Sequence, residues 1–215
     1  MLDRDKKTQS LWRLIKKNAI ETRGKHEEPF KLSSGKESYY YYNMKKITLH
    51  PDGSNLIADI LLEKILEMRA RSVGGLETGS VPIASVIASR SYGAGYRIPA
   101  FFVRKKRKEH GDEAEIEGID KSPVVIVDDV TTKGESAMKA IKAIRAKQHK
   151  IVGVLTIVDR EAGADLLFKE EGLELISIFK HADFKNYIDE QIIKKTKMAE
   201  PVTESIAVRS TQYGT

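Results

Sequence analysis

The chain has 215 residues, enough for one α/β domain with a modest accessory element, and no cysteine, which excludes disulfides and thiolate metal sites. It contains neither the apolar core of a signal peptide nor the roughly 20-residue apolar run of a membrane helix, so we expect a cytoplasmic protein. The formal charge is +6, and the five consecutive basic residues at 104–108 favour a partner with concentrated negative charge, such as a phosphate.

The first 50 residues predict a small N-terminal accessory element, called the hood below. Apolar residues recur at helical spacing over residues 5–22, with Lys and Arg between them, which predicts an amphipathic helix. The β-prone segments 30–32 and 39–42 flank a Ser/Gly turn, which predicts a hairpin. The hood is therefore expected to consist of one helix and one hairpin.

Strands and helices alternate over the next 140 residues, which form the predicted core at about 51–190. Strands are predicted at 72–75, 99–103, 124–127, 151–158 and 173–179. Helices are predicted at 55–68, 81–91, 135–148 and 162–171. This order predicts an α/β fold with a doubly wound parallel sheet flanked by helices. Residues 1–190 would form a single domain, followed by a polar C-terminal tail at 191–215.

The most informative segment is residues 124–136, VVIVDDVTTKGES. An apolar strand ends in Asp128 and Asp129, and a hydroxyl- and glycine-containing turn leads into a helix. Ligands of open α/β sheets bind at the carboxyl ends of strands, where free N–H groups at a helix start suit a phosphate. Two carboxylates beside that turn can accept hydrogen bonds from ribose hydroxyls. The alternative is that the two acids only end the strand and cap the turn.

VVIVDDVTTKGES resembles the phosphoribosyl pyrophosphate (PRPP) signature of type I phosphoribosyltransferases, which implies that fold with an N-terminal hood. The resemblance implies that Asp128 and Asp129 hold the ribose hydroxyls, with Asp129 among the catalytic residues. It implies PRPP binding by the residues that follow them, namely Val130, Thr131, Thr132, Lys133, Gly134, Glu135 and Ser136. Lys133 departs from the small residue usual in relatives.

The basic segment resembles the mobile catalytic loop of the orotate phosphoribosyltransferases within this family. The resemblance implies that Arg104, Lys105, Lys108 and His110 bind the pyrophosphate of PRPP, with Lys108 catalytic. It also implies a homodimer in which the loop closes over the neighbouring subunit's site. Positive groups at a departing pyrophosphate stabilise the transition state, and Mg²⁺, held mainly by substrate oxygens, would share this role. The alternatives are a solvated loop or a nonspecific nucleic-acid contact, for which no aromatic platform is visible.

Three further segments bear on the acceptor base and the pyrophosphate. The orotate contacts that the resemblance implies are Thr132, Arg160, Tyr41 and Tyr42. An arginine fork suits the orotate carboxylate, although Arg160 could instead pair with a neighbouring acid. The hairpin departs from the family at Tyr39, usually proline, and at Ser33, a substrate-binding lysine in some relatives. Residues 74–82 resemble the family's pyrophosphate loop without the lysine that some members carry.

These features predict transfer of ribose 5-phosphate from PRPP to orotate, giving orotidine 5′-monophosphate and pyrophosphate in pyrimidine biosynthesis, with Mg²⁺ as cofactor. Two rivals stay open. One is a phosphoribosyltransferase for another base, such as a purine or uracil. The other is a PRPP-sensing regulator that binds nucleic acid, which is disfavoured because no separate DNA-binding module is visible.

Overall fold

The computed structural model describes residues 4–32, 35–105, 115–119 and 121–198. Within these ranges no helix combines the length and the apolar character needed to span a bilayer. The predicted loop residues Lys108 and His110, and the departure at Ser33, lie outside the described residues.

The described chain alternates between helices and short strands. The helices are α1 (Arg4–Leu14), which continues as a π-helical turn (Ile15–Ala19), α2 (Lys45–Thr48), α3 (Pro51–Glu67), α4 (Ser80–Gly93), α5 (Glu135–Ala146), α6 (Ala164–Glu170), a 3₁₀ turn (His181–Asp183) and α7 (Lys185–Met198). The strands are β1 (Ile20–Thr22), β2 (Phe30–Lys31), β3 (Glu37–Ser38), β4 (Tyr40–Tyr42), β5 (Ser72–Leu76), β6 (Ala100–Val103), β7 (Ile116–Glu117), β8 (Val124–Thr131), β9 (Ile151–Asp159) and β10 (Leu175–Lys180).

Six strands form the central sheet in the order β10-β9-β8-β5-β6-β7. All neighbouring pairs are parallel except β6 and β7. Because β8 lies between β5 and β9, its four valine and isoleucine residues at 124–127 are almost completely buried. The predicted α/β fold with a parallel sheet and flanking helices is confirmed.

Two apolar clusters cover the faces of the sheet. Alternate residues of β8 belong to opposite clusters, Val125 and Val127 to one and Val124 and Ile126 to the other. Helices α1, α3, α4 and α7 contribute to the first cluster, and α5 and α6 contribute to the second. Since both faces are filled, the open carboxyl ends of the strands are where polar side chains can gather.

The hood differs from its prediction in the pairing of its strands. The predicted N-terminal helix ends at Ala19, and β1 pairs in antiparallel fashion with β4, joining Ile20 to Tyr42. The predicted hairpin is only two residues long on each side, with β2 paired to β3. The Ser38 hydroxyl donates to the Tyr40 carbonyl and accepts from the Tyr40 N–H, so a local turn interrupts the strand before the tyrosines. That interruption frees Tyr40–Tyr42 to pair with β1.

The C-terminal part of the described chain is helical where a tail was expected from residue 191. Helix α7 runs to Met198, and its last turns are attached to the hood. Lys195 Nζ donates to the Thr22 carbonyl at 2.6 Å, and the Lys25 N–H donates to Thr196 Oγ1 at 2.9 Å. Sequence reasoning missed this helix because only Ile188 of its residues is buried, which leaves a weak apolar period.

Candidate active site

A polar cavity of about 230 Å³ opens where β5 and β8 end, between the sheet and the hood. The residues around it are Leu32, Tyr41, Tyr42, Lys45, Leu76, Glu77, Thr78, Gly79, Lys105, Asp128, Asp129, Val130, Thr132, Ser136 and Arg160. A second cavity of about 310 Å³ shares part of this wall and extends around the turn after β8. Every residue from 128 to 136 lines at least one of the two cavities.

The paired acids face the ligand space. Asp128 Oδ1 accepts the Asp129 N–H at 2.9 Å, and Asp129 Oδ1 accepts the Val130 N–H at the same distance. A Cβ on Gly79 would lie 2.8 Å from Asp129 Oδ1 and 2.9 Å from Asp128 Oδ1, so both carboxyl groups approach one point. Burial and the neighbouring Asp129 charge raise the pKa of Asp128 well above its usual value. Two crowded carboxyl groups at a cavity wall suit hydroxyl donors or a cation.

The turn after the acids forms the start of α5. Gly134 caps the helix with φ 80°, a left-handed conformation that glycine adopts without strain. Thr131 is buried, and its Oγ1 has no hydrogen-bond partner among the described residues. The first N–H groups of α5 have no intrahelical partner and carry the positive end of the helix dipole. This turn is therefore suited to binding a phosphate.

The turn between β5 and α4 lines the cavity beside the two acids. It places Glu77, Thr78 and Gly79 at the cavity, and the peptide bond between Glu77 and Thr78 is cis. Glu77 Oε1 accepts the backbone N–H of Lys105 at 2.8 Å, which holds the start of the basic segment against this turn. Lys105 lines both cavities and is thus a positive group beside the acids and the phosphate turn.

The cavity is also lined by Tyr41, Tyr42 and Arg160, for which the resemblance implies contacts with the acceptor base, and we call this part of the cavity the base end. The Arg160 backbone N–H donates to the Thr131 carbonyl at 2.8 Å, which joins the end of β9 to the phosphate turn. The Arg160 guanidinium lies over the Tyr40 ring, with Cζ 4.7 Å from its centroid. Arg160 forms no ion pair within the described ranges. The alternative in which a neighbouring acid pairs with Arg160 therefore does not describe this arrangement.

Arg104 departs from the predicted cluster. Its guanidinium binds Glu117 of β7 at 2.7 Å and does not line the main cavity. The reason is the antiparallel pairing of β6 with β7, which brings residue 117 back beside residue 104. A role for Arg104 at the pyrophosphate would require this ion pair to open, so that role stays a prediction.

Sequence reasoning missed the cavity residue Lys45 entirely, and it included Leu32 only as part of the predicted hairpin, not as a contact. Lys45 lies on the short helix α2, which gave no usable period, and its neighbour Lys46 instead binds Glu21 at 2.8 Å. Two adjacent lysines are indistinguishable by residue type, so only the three-dimensional arrangement separates them. Glu77, Thr78 and Gly79 lie within the recognised segment 74–82 but were not among the predicted contacts.

Comparisons with known proteins agree on one family. The model of the phosphoribosyl transferase domain matches residues 43–185. The orotate phosphoribosyltransferase of Rhodopseudomonas palustris (strain BisB5) is 45% identical over 161 residues, covering 72% of this chain and 86% of that protein. The orotate phosphoribosyltransferase of Aquifex aeolicus is 42% identical over 183 residues, which cover 84% of this chain and 96% of that protein. The crystal structure of Mycobacterium tuberculosis orotate phosphoribosyltransferase with PRPP has a TM-score of 0.68 and 32% sequence identity. The match covers 83% of this chain and 99% of that chain.

Proposed function

The chain belongs to the phosphoribosyltransferase family and is an orotate phosphoribosyltransferase, and we propose that the residues around its polar cavity bind PRPP and orotate in the roles derived below. The reaction transfers ribose 5-phosphate to N1 of orotate and releases pyrophosphate, a step of pyrimidine biosynthesis. The observation that carries the assignment of roles is that an acid pair, a phosphate turn and an arginine line connected cavities. These are groups complementary to a sugar diol, a phosphate and a carboxylate.

The donor would bind across the two cavities. The N–H groups at the start of α5 and the unpartnered Thr131 hydroxyl bind the 5′-phosphate, which supplies acceptors for otherwise orphaned donors. Asp128 and Asp129 accept hydrogen bonds from the ribose hydroxyls. The pyrophosphate then extends toward the β5–α4 turn and Lys105, where backbone N–H groups and an ammonium offset its charge.

The acceptor would bind at the other end, where Tyr41 and Tyr42 supply aromatic surface and Arg160 faces the carboxylate. As N1 of orotate bonds to the anomeric carbon, the bond from that carbon to the pyrophosphate breaks. N1 loses its proton in this step, and the basic oxygens of the departing pyrophosphate, or solvent, accept it. Bond breaking at that carbon places positive character on the ribose and additional negative charge on the pyrophosphate. Lys105, and Lys108 from outside the described ranges, would stabilise that leaving group more strongly in the transition state than in the ground state.

Magnesium fits the proposed donor site through few protein ligands. Within the described ranges no group of three or more His, Cys, Asp or Glu side chains could hold a metal ion by itself. The two adjacent carboxyl groups, Asp128 and Asp129, are hard oxygen donors of the type Mg²⁺ prefers, and PRPP would supply most of the remaining oxygens. Bound there, Mg²⁺ would offset charge on the pyrophosphate.

A homodimer with shared sites is part of the same proposal. Lys105 lines the cavity of its own subunit, whereas Arg104 is paired with Glu117 outside the main cavity, so the residues proposed to serve a neighbouring subunit are those after Lys105. Sedimentation should then give a dimer. Mixing an inactive Lys108 variant with an inactive Asp129 variant should restore activity in the mixed dimers. A monomer, or no recovery of activity on mixing, contradicts shared sites.

A cytoplasmic location remains a prediction.

A panel of bases tests the assignment. The protein is mixed with PRPP and Mg²⁺, and orotate, uracil and purines are compared by loss of base absorbance. Orotate should be consumed with the release of pyrophosphate. Arg160→Ala should raise KM for orotate about 10- to 100-fold, since hydrogen bonds to charged groups contribute about 1.5–3 kcal/mol. Preference for another base, or salt-dependent nucleic-acid binding without any product, would replace this proposal by one of its rivals.

A further inference from the structure

An aromatic stack lies behind the arginine at the base end of the cavity. The Tyr40 ring and the imidazole of His181 are nearly parallel, with an interplanar angle of 10° and centroids 4.8 Å apart. Arg160 Cζ lies 4.7 Å from the centroid of the same tyrosine ring. Neither Tyr40 nor His181 lines either of the two cavities, whereas Arg160 lines the first.

The stack is anchored to the rest of the site by hydrogen bonds. The Tyr42 hydroxyl lies 3.0 Å from His181 Nδ1, so the two groups share a hydrogen bond. Burial raises the pKa of Tyr42, which keeps the hydroxyl protonated. Glu161 Oε2 accepts the Ala182 N–H at 2.9 Å, which ties the residue after Arg160 to the residue after His181. The turn after β9 and the turn after β10 are thus joined beside the stack.

Charge in this region favours a single cation. Burial and the nearby Arg160 charge lower the pKa of His181, which favours the neutral ring at pH 7. A neutral, half-buried ring offers Tyr40 a flat surface without adding a second positive charge beside the guanidinium. Ordering an arginine side chain costs about 2 kcal/mol of rotamer entropy. A preformed aromatic surface orders the side chain before the ligand binds, so less of this cost is subtracted from the binding free energy.

We propose that Tyr40 and His181 are positioning residues that hold the Arg160 guanidinium toward the orotate carboxylate and thereby determine selection of orotate. This inference rests on the proposed role of Arg160. A bidentate arginine–carboxylate contact depends on the direction of the planar fork. The orientation of Arg160 should therefore affect orotate and leave PRPP, which binds at the other end of the cavity, almost unaffected.

Steady-state kinetics of four variants test the inference. Tyr40→Leu and His181→Leu each remove one layer of the stack and should raise KM for orotate about 5- to 30-fold, equivalent to about 1–2 kcal/mol. KM for PRPP and kcat at saturating orotate should stay within about twofold. Tyr40→Phe retains the ring and should behave as the unmodified protein. Tyr39→Leu is the matched control, because its ring contacts Lys25 and does not line the cavity.

The outcomes separate this inference from the function on which it rests. If Arg160→Ala raises KM for orotate but neither leucine variant does, the positioning role is wrong and the role of Arg160 stands. If Arg160→Ala leaves KM for orotate unchanged, the proposed carboxylate contact itself fails. If Tyr40 and His181 had a purely structural role, the leucine variants would raise KM for both orotate and PRPP, or would have a lower Tm than the unmodified protein. Tyr40→Phe would then also be as defective as Tyr40→Leu. Should Tyr40→Leu not fold, half-exposed His181→Leu decides alone.

Discussion

Replacing Asp128 by Asn should stabilise the free protein while abolishing turnover. The carboxyl oxygens of Asp128 and Asp129 both lie within 2.9 Å of one point beside Gly79, so they are separated by less than about 6 Å. At an effective dielectric constant of about 20, two unit charges at that distance repel by about 3 kcal/mol. Asn is nearly isosteric, and its amide oxygen can still accept the Asp129 N–H. The substitution thus removes repulsion and keeps the local hydrogen bond.

The expected gain is about 1–3 kcal/mol, because the raised pKa of Asp128 favours its protonated form, in which the repulsion is relieved. For a chain of this length, that corresponds to a rise in Tm of about 2–10 °C. Active sites commonly store such costs, so a gain in stability accompanied by a loss of activity is the expected combination.

The pH dependence of the gain has a definite sign. The folded-state pKa of Asp128 is raised above its unfolded value, so between the two values the folded protein retains a proton that the unfolded chain has lost. The free energy of unfolding of the unmodified protein therefore falls as pH rises through this window. Asn does not titrate, so its advantage should be small near pH 4 and grow toward pH 8.

Urea denaturation of the Asp128→Asn variant at pH 4.5, 6 and 7.5, without PRPP, measures this effect. Asp129→Asn and the double variant complete a double-mutant cycle, in which the double variant should gain less than the sum of the single gains. Addition of PRPP and Mg²⁺ should stabilise the unmodified protein more than the variant. No gain at pH 7.5, or a gain independent of pH, would show that the two acids do not repel each other in the free site.

Three further substitutions test other parts of the site. Lys108→Ala should reduce kcat far more than it weakens substrate binding, and unchanged turnover would refute its role at the leaving group. Lys45→Ala should lower kcat/KM about 10-fold, because Lys45 lines the cavity and adds positive charge there, whereas Lys46→Ala should change it by no more than about twofold, because Lys46 is paired with Glu21. Equal effects of the two substitutions would remove Lys45 from the site. Gly134→Ala should lower the free energy of unfolding by about 1–3 kcal/mol in urea denaturation and raise KM for PRPP. The reason is strain, because φ is 80° and the new Cβ would lie 2.7 Å from Phe168 Cζ. An unchanged denaturation midpoint would contradict this strain.

The central strands and the phosphate turn could be predicted from the sequence because their signals are local. The apolar run at 124–127 reports a strand buried on both faces, and the next nine residues carry the acids, the turn and the helix start. Strand and helix periods over the core were long enough to predict the parallel sheet. Arg160 could be proposed because the resemblance to orotate phosphoribosyltransferases implies an arginine directly after this strand. In each case the informative residues are neighbours along the chain.

Short or weakly periodic elements could not be predicted as well from the sequence. Residues 40–42 are β-prone, but pairing with β1 rather than β2 depends on a turn at Ser38 that interrupts the hairpin. Helix α7 has a single buried residue, so its position depends on hydrogen bonds to the hood. Composition does not specify such partners.

The amino-acid sequence by itself determined the α/β fold, the acid pair with its phosphate turn, and the family to which the chain belongs. Each of these depends on local sequence signals, that is, on residues that are close together along the chain. Only the tertiary structure decided which of two lysines lines the cavity, that Arg104 binds Glu117, and that His181 lies against Tyr40 and the Tyr42 hydroxyl, 139 residues away along the chain. The physical reason is that these contacts join elements far apart in sequence. Their geometry results from packing of the whole sheet and hood, and no local pattern specifies it.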